Sequence, residues 1–378
     1  MAVVAAVARE HFGRETLDGA VLAAEVQRLS ALYNAGRAPE SGDARALCAR
    51  LRFFMPRDLP KLDGPLAELA QVDAFPERDS LRVLDLGAGV GTSTLALARF
   101  AARTGIAARL EVDAVDHDTG ALALARRVWA RAGDWGGVPI TARPIAMDLA
   151  RPVRARLNRA YDVVLLGLVW NELARDEPEE PEERAAERHL AWLAEITPLV
   201  ADDGVLVIVE PALRQQTRIL HRVRDALARR PGPPHVFAPC VRRGDCPMLA
   251  RERDWCHELV PSALPATLAA LARMAGLREH DLTYSYLTLH MQARSLREVA
   301  PVPLLRVVGG PLRTKGKREL FVCGDVDATR VRLLDRDATM ANAVFDVLGR
   351  GDVVTIAGDV PTSDAWRVRD ETRVVRFP

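Results

Sequence analysis

The stretch Asp85-Leu86-Gly87-Ala88-Gly89-Val90-Gly91-Thr92 closes one apolar run and opens an Ala/Leu-rich one. Glycines at a strand-to-helix turn let backbone approach a ligand, and the N–H groups of the new helix then face it. The place suits a nucleotide-like ligand. A glycine-rich turn alone is a weak signal, because dinucleotide sites use Gly-x-Gly-x-x-Gly there. Thr92 separates the two readings. It stands where that pattern requires its third glycine, Gly91 completes Gly-x-Gly-x-Gly, and Asp85 lies two residues before the first glycine.

Outward from this turn, short β-branched runs alternate with Ala/Leu-rich ones. The spacing predicts strands over 81–86, 110–115, 140–146, 161–168 and 204–210, and helices over 92–102, 120–132, 184–196 and 213–229. Such alternation implies an α/β fold with a parallel, doubly wound sheet. Residues 1–78 carry apolar positions at helical spacing, among them Val21, Leu22, Val26, Leu29 and Leu32, interrupted by Pro56, Pro60 and Pro65. After Pro301 the chain turns to short β-like pieces at 304–308, 319–323, 331–334 and 353–356. The expected organisation is a helical N-terminal region (1–78), a cofactor-binding domain (79–300) with a cysteine-bearing insertion (235–260), and a small β domain (301–378). The acidic run 176–183 reads as a solvated loop.

The formal net charge of +1 points to no nucleic-acid partner by itself, so any basic surface rests on local clusters. No apolar run approaches the roughly 20 residues of a spanning helix, and no signal-peptide succession opens the chain. A soluble protein of the bacterial cytoplasm, without a membrane and monomeric, is the expectation. In that reducing compartment clustered thiols bind metal or stay free more often than they form disulfides.

The spacing from Asp85 to Thr92 resembles the first motif of class I methyltransferases, whose fold is a Rossmann-like doubly wound sheet. That resemblance implies an S-adenosylmethionine site in which Asp85, Gly87, Gly89, Gly91 and Thr92 hold the methionine end and an acid ending the second strand takes the ribose hydroxyls. Asp116 matches the acid, with Asp113 and Asp118 as competitors. Met147 and Asp148, after the third strand, match the adenine contacts, although a loop cap explains Asp148 equally well. The fourth strand ends in Leu166-Gly-Leu-Val-Trp-Asn171-Glu172, without the Asp/Asn-Pro-Pro-aromatic run of amine-directed nucleic-acid methyltransferases. Asn171 and Glu172 are candidates to line the pocket or to cap a helix, and no catalytic base stands out.

Cys240-Val-Arg-Arg-Gly-Asp-Cys246-Pro and Asp254-Trp-Cys256-His257 gather three thiols and an imidazole in a stretch poor in apolar residues. Thiolates suit zinc or an iron-sulfur cluster, each usually held by four donors, and His257 or Cys323 would be the fourth. The spacing matches neither a zinc ribbon nor a ferredoxin; unligated cysteines are the plain alternative. Pro239-Cys240, Cys246-Pro247, Trp255-Cys256-His257, Tyr284-Ser-Tyr-Leu287 and the run from Pro311 to Cys323 resemble, in that order, the methyltransferase-like small-ribosomal-subunit assembly family of bacteria and mitochondria. The resemblance implies a [4Fe-4S] cluster on Cys240, Cys246, Cys256 and Cys323, with His257 a neighbour.

Arg313-Thr-Lys315-Gly-Lys317-Arg318 reads as a hairpin tip whose cations suit phosphate, or as a solvated turn. With the resemblance it implies binding to small-subunit rRNA and the ribosomal small subunit. The expected function is therefore a subunit assembly factor with a methyltransferase fold. An active rRNA methyltransferase is the first alternative, and a small-molecule methyltransferase with a zinc site the second. Fold and methyl transfer are separate claims.

Overall fold

A computed structural model of the chain describes residues 1–378 except 36, 158, 174–179, 326–328, 358–359, 362–364 and 378. The helical spacing of the first residues becomes α1 (Ala2–Phe12), α2 (Gly19–Asn34), α3 (Ala44–Ala49), α4 (Met55–Asp58) and α5 (Asp63–Ala70). Asp43 opens α3 by accepting the Arg45 and Ala46 N–H groups at 3.0 and 3.1 Å. Arg50–Phe54, between α3 and α4, is a π-helical turn. Pro56, Pro60 and Pro65 sit in first turns of helical segments, where a missing N–H leaves no helix bond unmade.

Then follow β1 (Ser80–Leu86), α6 (Thr92–Thr104), β2 (Arg109–Asp116), α7 (Thr119–Trp129), β3 (Ile140–Ala146), β4 (Tyr161–Gly167), α8 (Glu182–Ile196), β5 (Val200–Pro211) and α9 (Arg214–Ala228). Strands β3, β2, β1, β4 and β5 pair in that order, all parallel, as the alternation predicts. Successive side chains of β1 enter two cores: Leu81 and Val83 pack with α6, α7 and the N-terminal helices, while Leu84 and Leu86 pack with α8 and α9. Each fully buried Leu or Val contributes about 1.5–3 kcal/mol, which explains why these strands read as continuous apolar runs.

The acidic run differs from its expectation. Residues 176–179 lie outside the described residues, but Glu182 and Glu183 start α8, where carboxylates favour the positive end of the helix dipole.

The cysteine-bearing segment also contains more regular structure than its composition suggests: β6 (His235–Ala238), β7 (Glu258–Ala263), α10 (Ala266–Met274) and β8 (His280–His290). Strand β8 runs antiparallel to β5, from Val205 against His290 to Pro211 against Tyr284, and β6 and β7 share its far edge. Helix α10 packs Leu268, Leu271 and Ala272 against Leu22, Val26 and Phe53 of the N-terminal helices.

The remaining chain forms β9 (Leu305–Val307), β10 (Leu312–Thr314), β11 (Lys317–Gly324), β12 (Thr329–Leu334), β13 (Val353–Ala357), β14 (Val360–Pro361), β15 (Trp366–Val368) and β16 (Arg373–Phe377). They make a second sheet in the order β14-β15-β12-β11-β9-β13-β16, with β10 on β11. Its core includes Val307, Leu320, Val322, Val331 and Val354. Among the described residues no helix is long and apolar enough to cross a membrane.

Candidate functional site

The glycine turn after β1 does three separate jobs. A Cβ at Gly87, where φ is +73°, would meet the Val169 side chain at 2.4 Å. At Gly91 it would meet the Trp129 indole at 2.6 Å, and that indole donates to the Gly91 carbonyl at 3.1 Å. Above Gly89 sits the Arg50 guanidinium of the π-helical turn. Gly87, Gly89 and Thr92 line a cleft of about 580 Å³ that is partly open to solvent, whereas Gly91 faces α7. Pockets for small molecules commonly measure about 300–1,000 Å³. The N-terminal helices supply much of the opposite wall through Tyr33, Arg50, Phe54 and Arg57, a contribution that helical spacing alone did not reveal.

Asp116 ends β2 on this cleft. Its carboxylate accepts the Gly89 and Asp118 N–H groups, each at 2.8 Å, tying the second strand to the glycine turn. The competitors have other duties. Asp118 caps α7 through the Ala121 N–H at 3.0 Å, and Asp113 pairs with Arg143 and accepts the Tyr161 hydroxyl at 2.5 Å.

Beyond Gly91, three further expected contacts lie elsewhere than the cleft wall or have a second role. Asp85 is fully buried, and its carboxylate accepts the Thr94 hydroxyl and N–H at 2.6 and 3.2 Å, pinning the first turn of α6. Burial pushes its pKa up to about 6, against the lowering by those hydrogen bonds. Met147 is buried with Leu84 and Val115, and Leu149 takes the cleft wall instead. Asp148 reaches the cleft but accepts the Ala150 N–H at 2.9 Å, the loop-cap role. Asn171 and Glu172 line the cleft in a short turn after β4, whose Trp170 and Asn171 N–H groups are received by the buried Glu210 carboxylate at 2.9 and 3.2 Å.

The four cysteines of interest converge. Cys240, Cys246, Cys256 and Cys323 line one chamber, partly open to solvent, between α9, the β6–β7 segment and β11. None of the chain's cysteines is disulfide-bonded, and Cys48 is buried apart from these in the N-terminal core. Burial, and then the neighbouring Cys240, raise the Cys246 thiol pKa; burial chiefly does the same to Cys256. His221 places Nδ1 at 3.7 Å from the Cys246 sulfur. His257 stacks on Trp255 with ring centroids 5.5 Å apart, and burial lowers its pKa to about 4. His221 was not foreseen, since α9 reads only as an amphipathic helix. Among the described residues no three His, Cys, Asp or Glu side chains are grouped tightly enough to hold a metal ion. A single tetrahedral zinc would set its sulfurs roughly 3.8 Å apart.

The basic run forms the β10–β11 hairpin, with Lys315 exposed at its tip. Its other cations are engaged: Arg318 pairs with Asp346 and Asp335, Lys317 with Glu319 at 3.0 Å, and Arg313 donates to the Asp346 carbonyl at 2.8 Å.

Among solved structures, the chain is similar to a putative rRNA methylase from Clostridium thermocellum at 10% identity, covering 61% of this chain and 96% of that one with a TM-score of 0.32. It is also similar to a putative class I S-adenosylmethionine-dependent methyltransferase from Listeria monocytogenes: 12% identity, 75% and 88% coverage, TM-score 0.33. An O-methyltransferase family protein from Burkholderia thailandensis gives 16% identity, 72% and 68% coverage, and 0.33. No curated protein matches the sequence. The parallel β3-β2-β1-β4-β5 order, with antiparallel β8 beyond it and the glycine turn after β1, is the class I methyltransferase fold. The bacterial compartment expected for the chain does not fit its family match, whose description is mitochondrial. Residues 55–366 match the family described as mitochondrial small ribosomal subunit Rsm22, and the chain belongs to that family.

Proposed function

We propose that the chain is a small-ribosomal-subunit assembly factor whose methyltransferase fold binds S-adenosylmethionine, a [4Fe-4S] cluster and small-subunit rRNA. The observation that carries this reading is the convergence of Cys240, Cys246, Cys256 and Cys323 on one chamber in a chain of the Rsm22 family. The residues present fit an anionic, thiolate-held group. The Nε atoms of Arg224 and Arg306, buried beside the chamber, lack a hydrogen-bond partner among the described residues. A multi-iron cluster, wider than one ion, suits thiols that line a chamber without forming a tight single-ion group. On the cofactor side, Gly87, Gly89, Thr92 and Asp116 border the cleft, and the Asp116 carboxylate retains acceptor capacity for ribose hydroxyls. Asp85, from inside the fold, holds the turn rather than the ligand. Lys315 is the cation of the β10–β11 hairpin best placed for an RNA phosphate.

Anaerobic purification with iron, sulfide and zinc analysis tests the reading, together with gradient sedimentation against small subunits. The expected result is about four irons per chain, lost in Cys246→Ser, and co-sedimentation with immature small subunits. Stoichiometric zinc without iron, or no affinity for the subunit, overturns it.

A second reading, an active rRNA methyltransferase, is favoured by Asn171 and Glu172, which line the cleft just after β4, at the strand ends where substrates of open α/β sheets bind. It predicts a modified nucleotide that disappears from small-subunit rRNA when the protein is deleted.

A further inference from the structure

The segment between Cys240 and Cys256 has little regular structure, yet the carbonyls of Arg242, Gly244, Met248, Arg251, Glu252 and Asp254 are all taken by arginines of one helix. Arg218, His221, Arg224 and Asp225 recur at helical spacing along α9, and Arg218, Arg224 and Asp225 are almost fully buried. Arg224 donates through one guanidinium nitrogen to the Gly244 carbonyl at 2.5 Å and through another to the Arg242 carbonyl, gripping the middle of the turn between Cys240 and Cys246. The Asp225 carboxylate accepts the Cys246 N–H at 2.9 and 3.1 Å. Arg218 donates to the carbonyls of Met248, Arg251 and Asp254, at 3.1, 2.9 and 2.9 Å, gripping the turn between Cys246 and Cys256. Glu182 at the start of α8 fixes Arg218 itself at 2.8 Å.

We infer that this face of α9 is a mould for the thiol chamber, and that Arg224 is a positioning residue that holds the Cys240 and Cys246 backbones in place whether or not the chamber is filled. An irregular loop loses conformational entropy at each residue it orders. A helix that takes its carbonyls through planar, many-donor guanidinium groups supplies that order from outside the loop, and a lysine at 224 could not span both carbonyls. The mould also joins the two candidate sites. Helix α9 directly follows β5, whose Val209 and Pro211 line the cofactor cleft, so the element that ends at the cleft continues into the one that shapes the chamber.

The test compares wild type, Arg224→Gln and Arg224→Lys in the full chain. The first measurement is amide hydrogen exchange on metal-free protein, which does not depend on the cluster reading. The expected result is exchange at least about tenfold faster across 241–247 in Arg224→Gln, with the amides of β4 and β5 unchanged. The second rests on that reading: iron removal by a chelator from the reconstituted protein, and the reduction potential of its bound iron. Changes to groups that orient metal ligands commonly cost about 10–100-fold in metal affinity, so Arg224→Gln should release iron at least about tenfold faster, with a lowered potential and Arg224→Lys between the two. If Arg224→Gln fails to fold by circular dichroism, Arg224→Lys, which keeps the buried charge and one carbonyl bond, carries the same comparison with a smaller change. Unaltered exchange over 241–247 in the folded variant overturns the mould. Wild type without iron overturns the cluster reading and leaves the exchange result to decide the mould.

Discussion

Arg306 of β9 donates to the Glu68 carboxylate of α5, a buried pair made by residues 238 positions apart. Glu68 also accepts the Tyr286 hydroxyl of β8, while Arg306 lies 3.5 Å from Glu258 and donates to the Gly351 carbonyl at 2.8 Å. The N-terminal helices, the main sheet and the second sheet thus meet at one guanidinium, on the wall of the thiol chamber.

Breaking that junction from its two ends should differ. Removing one partner of a buried ion pair costs about 3–5 kcal/mol, because the other charge stays behind uncompensated. Arg306→Met leaves two buried carboxylates, Glu68 and Glu258, without their cation and should fall in that range. Glu68→Gln keeps an acceptor for Tyr286 and leaves Arg306 with Glu258, so its cost should be clearly smaller. Urea unfolding at pH 7.5 reads both. Equal losses would mean that the pair acts through shape and not through charge.

Gly87→Ala should damage the cofactor cleft. Its Cβ would press on Val169 at 2.4, 2.6 and 2.9 Å, and the φ of +73° is one that an L side chain rarely adopts. Val169 is β-branched and cannot swing its end away, so overpacking and backbone strain together predict a loss of about 2–4 kcal/mol. Calorimetric titration with S-adenosylmethionine should show weaker binding alongside a lowered melting temperature. Full-strength binding by a folded variant would show that the turn can shift without cost to the ligand.

His189 should make the protein acid-sensitive. It is buried edge-on against Trp170 with ring centroids 4.3 Å apart, and among the described residues neither ring nitrogen has a hydrogen-bond partner. Burial first, and the Arg188 charge second, lower its pKa from 6.5 to about 4. The unfolded chain therefore binds a proton that the folded one refuses between those values. The stabilisation is whole above about pH 6.5 and fades as pH falls, by up to about 3 kcal/mol near pH 4. His189→Phe keeps the ring contact and cannot titrate, so its stability should drop less than wild type between pH 8 and pH 5. His221 and His257, also held near 4 chiefly by burial, are common to both proteins, so the comparison isolates position 189.

The alternation from β1 to α9 was legible because strands buried on both faces must be apolar throughout and their helices amphipathic. The strands β6 and β7 were not, being short and only half-buried, and the alternation Leu282-Thr-Tyr284-Ser-Tyr286 of antiparallel β8 lies beyond a proline-broken, cysteine-bearing segment that separates it from the βα series. At the cleft, Asp116 and the first two glycines stand where the resemblance to the first methyltransferase motif puts them, whereas sequence cannot distinguish a carboxylate facing a ligand from one that pins a helix, as Asp85 does. The clustering of the cysteines was visible through resemblance. The arginines of α9 that hold their loop were not, because a buried arginine reads in sequence like any surface one.

The β10–β11 hairpin allows RNA contact and stability to be separated. Lys315 is exposed and makes no ion pair among the described residues, whereas Lys317 already faces Glu319, and Arg318 holds Asp335 and Asp346. Reversing Lys317 would set two carboxylates side by side, so loss of RNA binding there would be mixed with local unfolding. Lys315→Glu alters only what the tip offers to a phosphate. It should leave the melting temperature unchanged, weaken binding to small-subunit rRNA, and lower the slope of log affinity against log salt by about one unit, the share of one phosphate contact. Arg318→Ala should do the opposite, lowering stability more than affinity, since its charge is spent inside the fold. Filter binding across a salt series, with thermal unfolding of the same preparations, separates the two, and an unchanged slope for Lys315→Glu would take the hairpin out of the RNA interface.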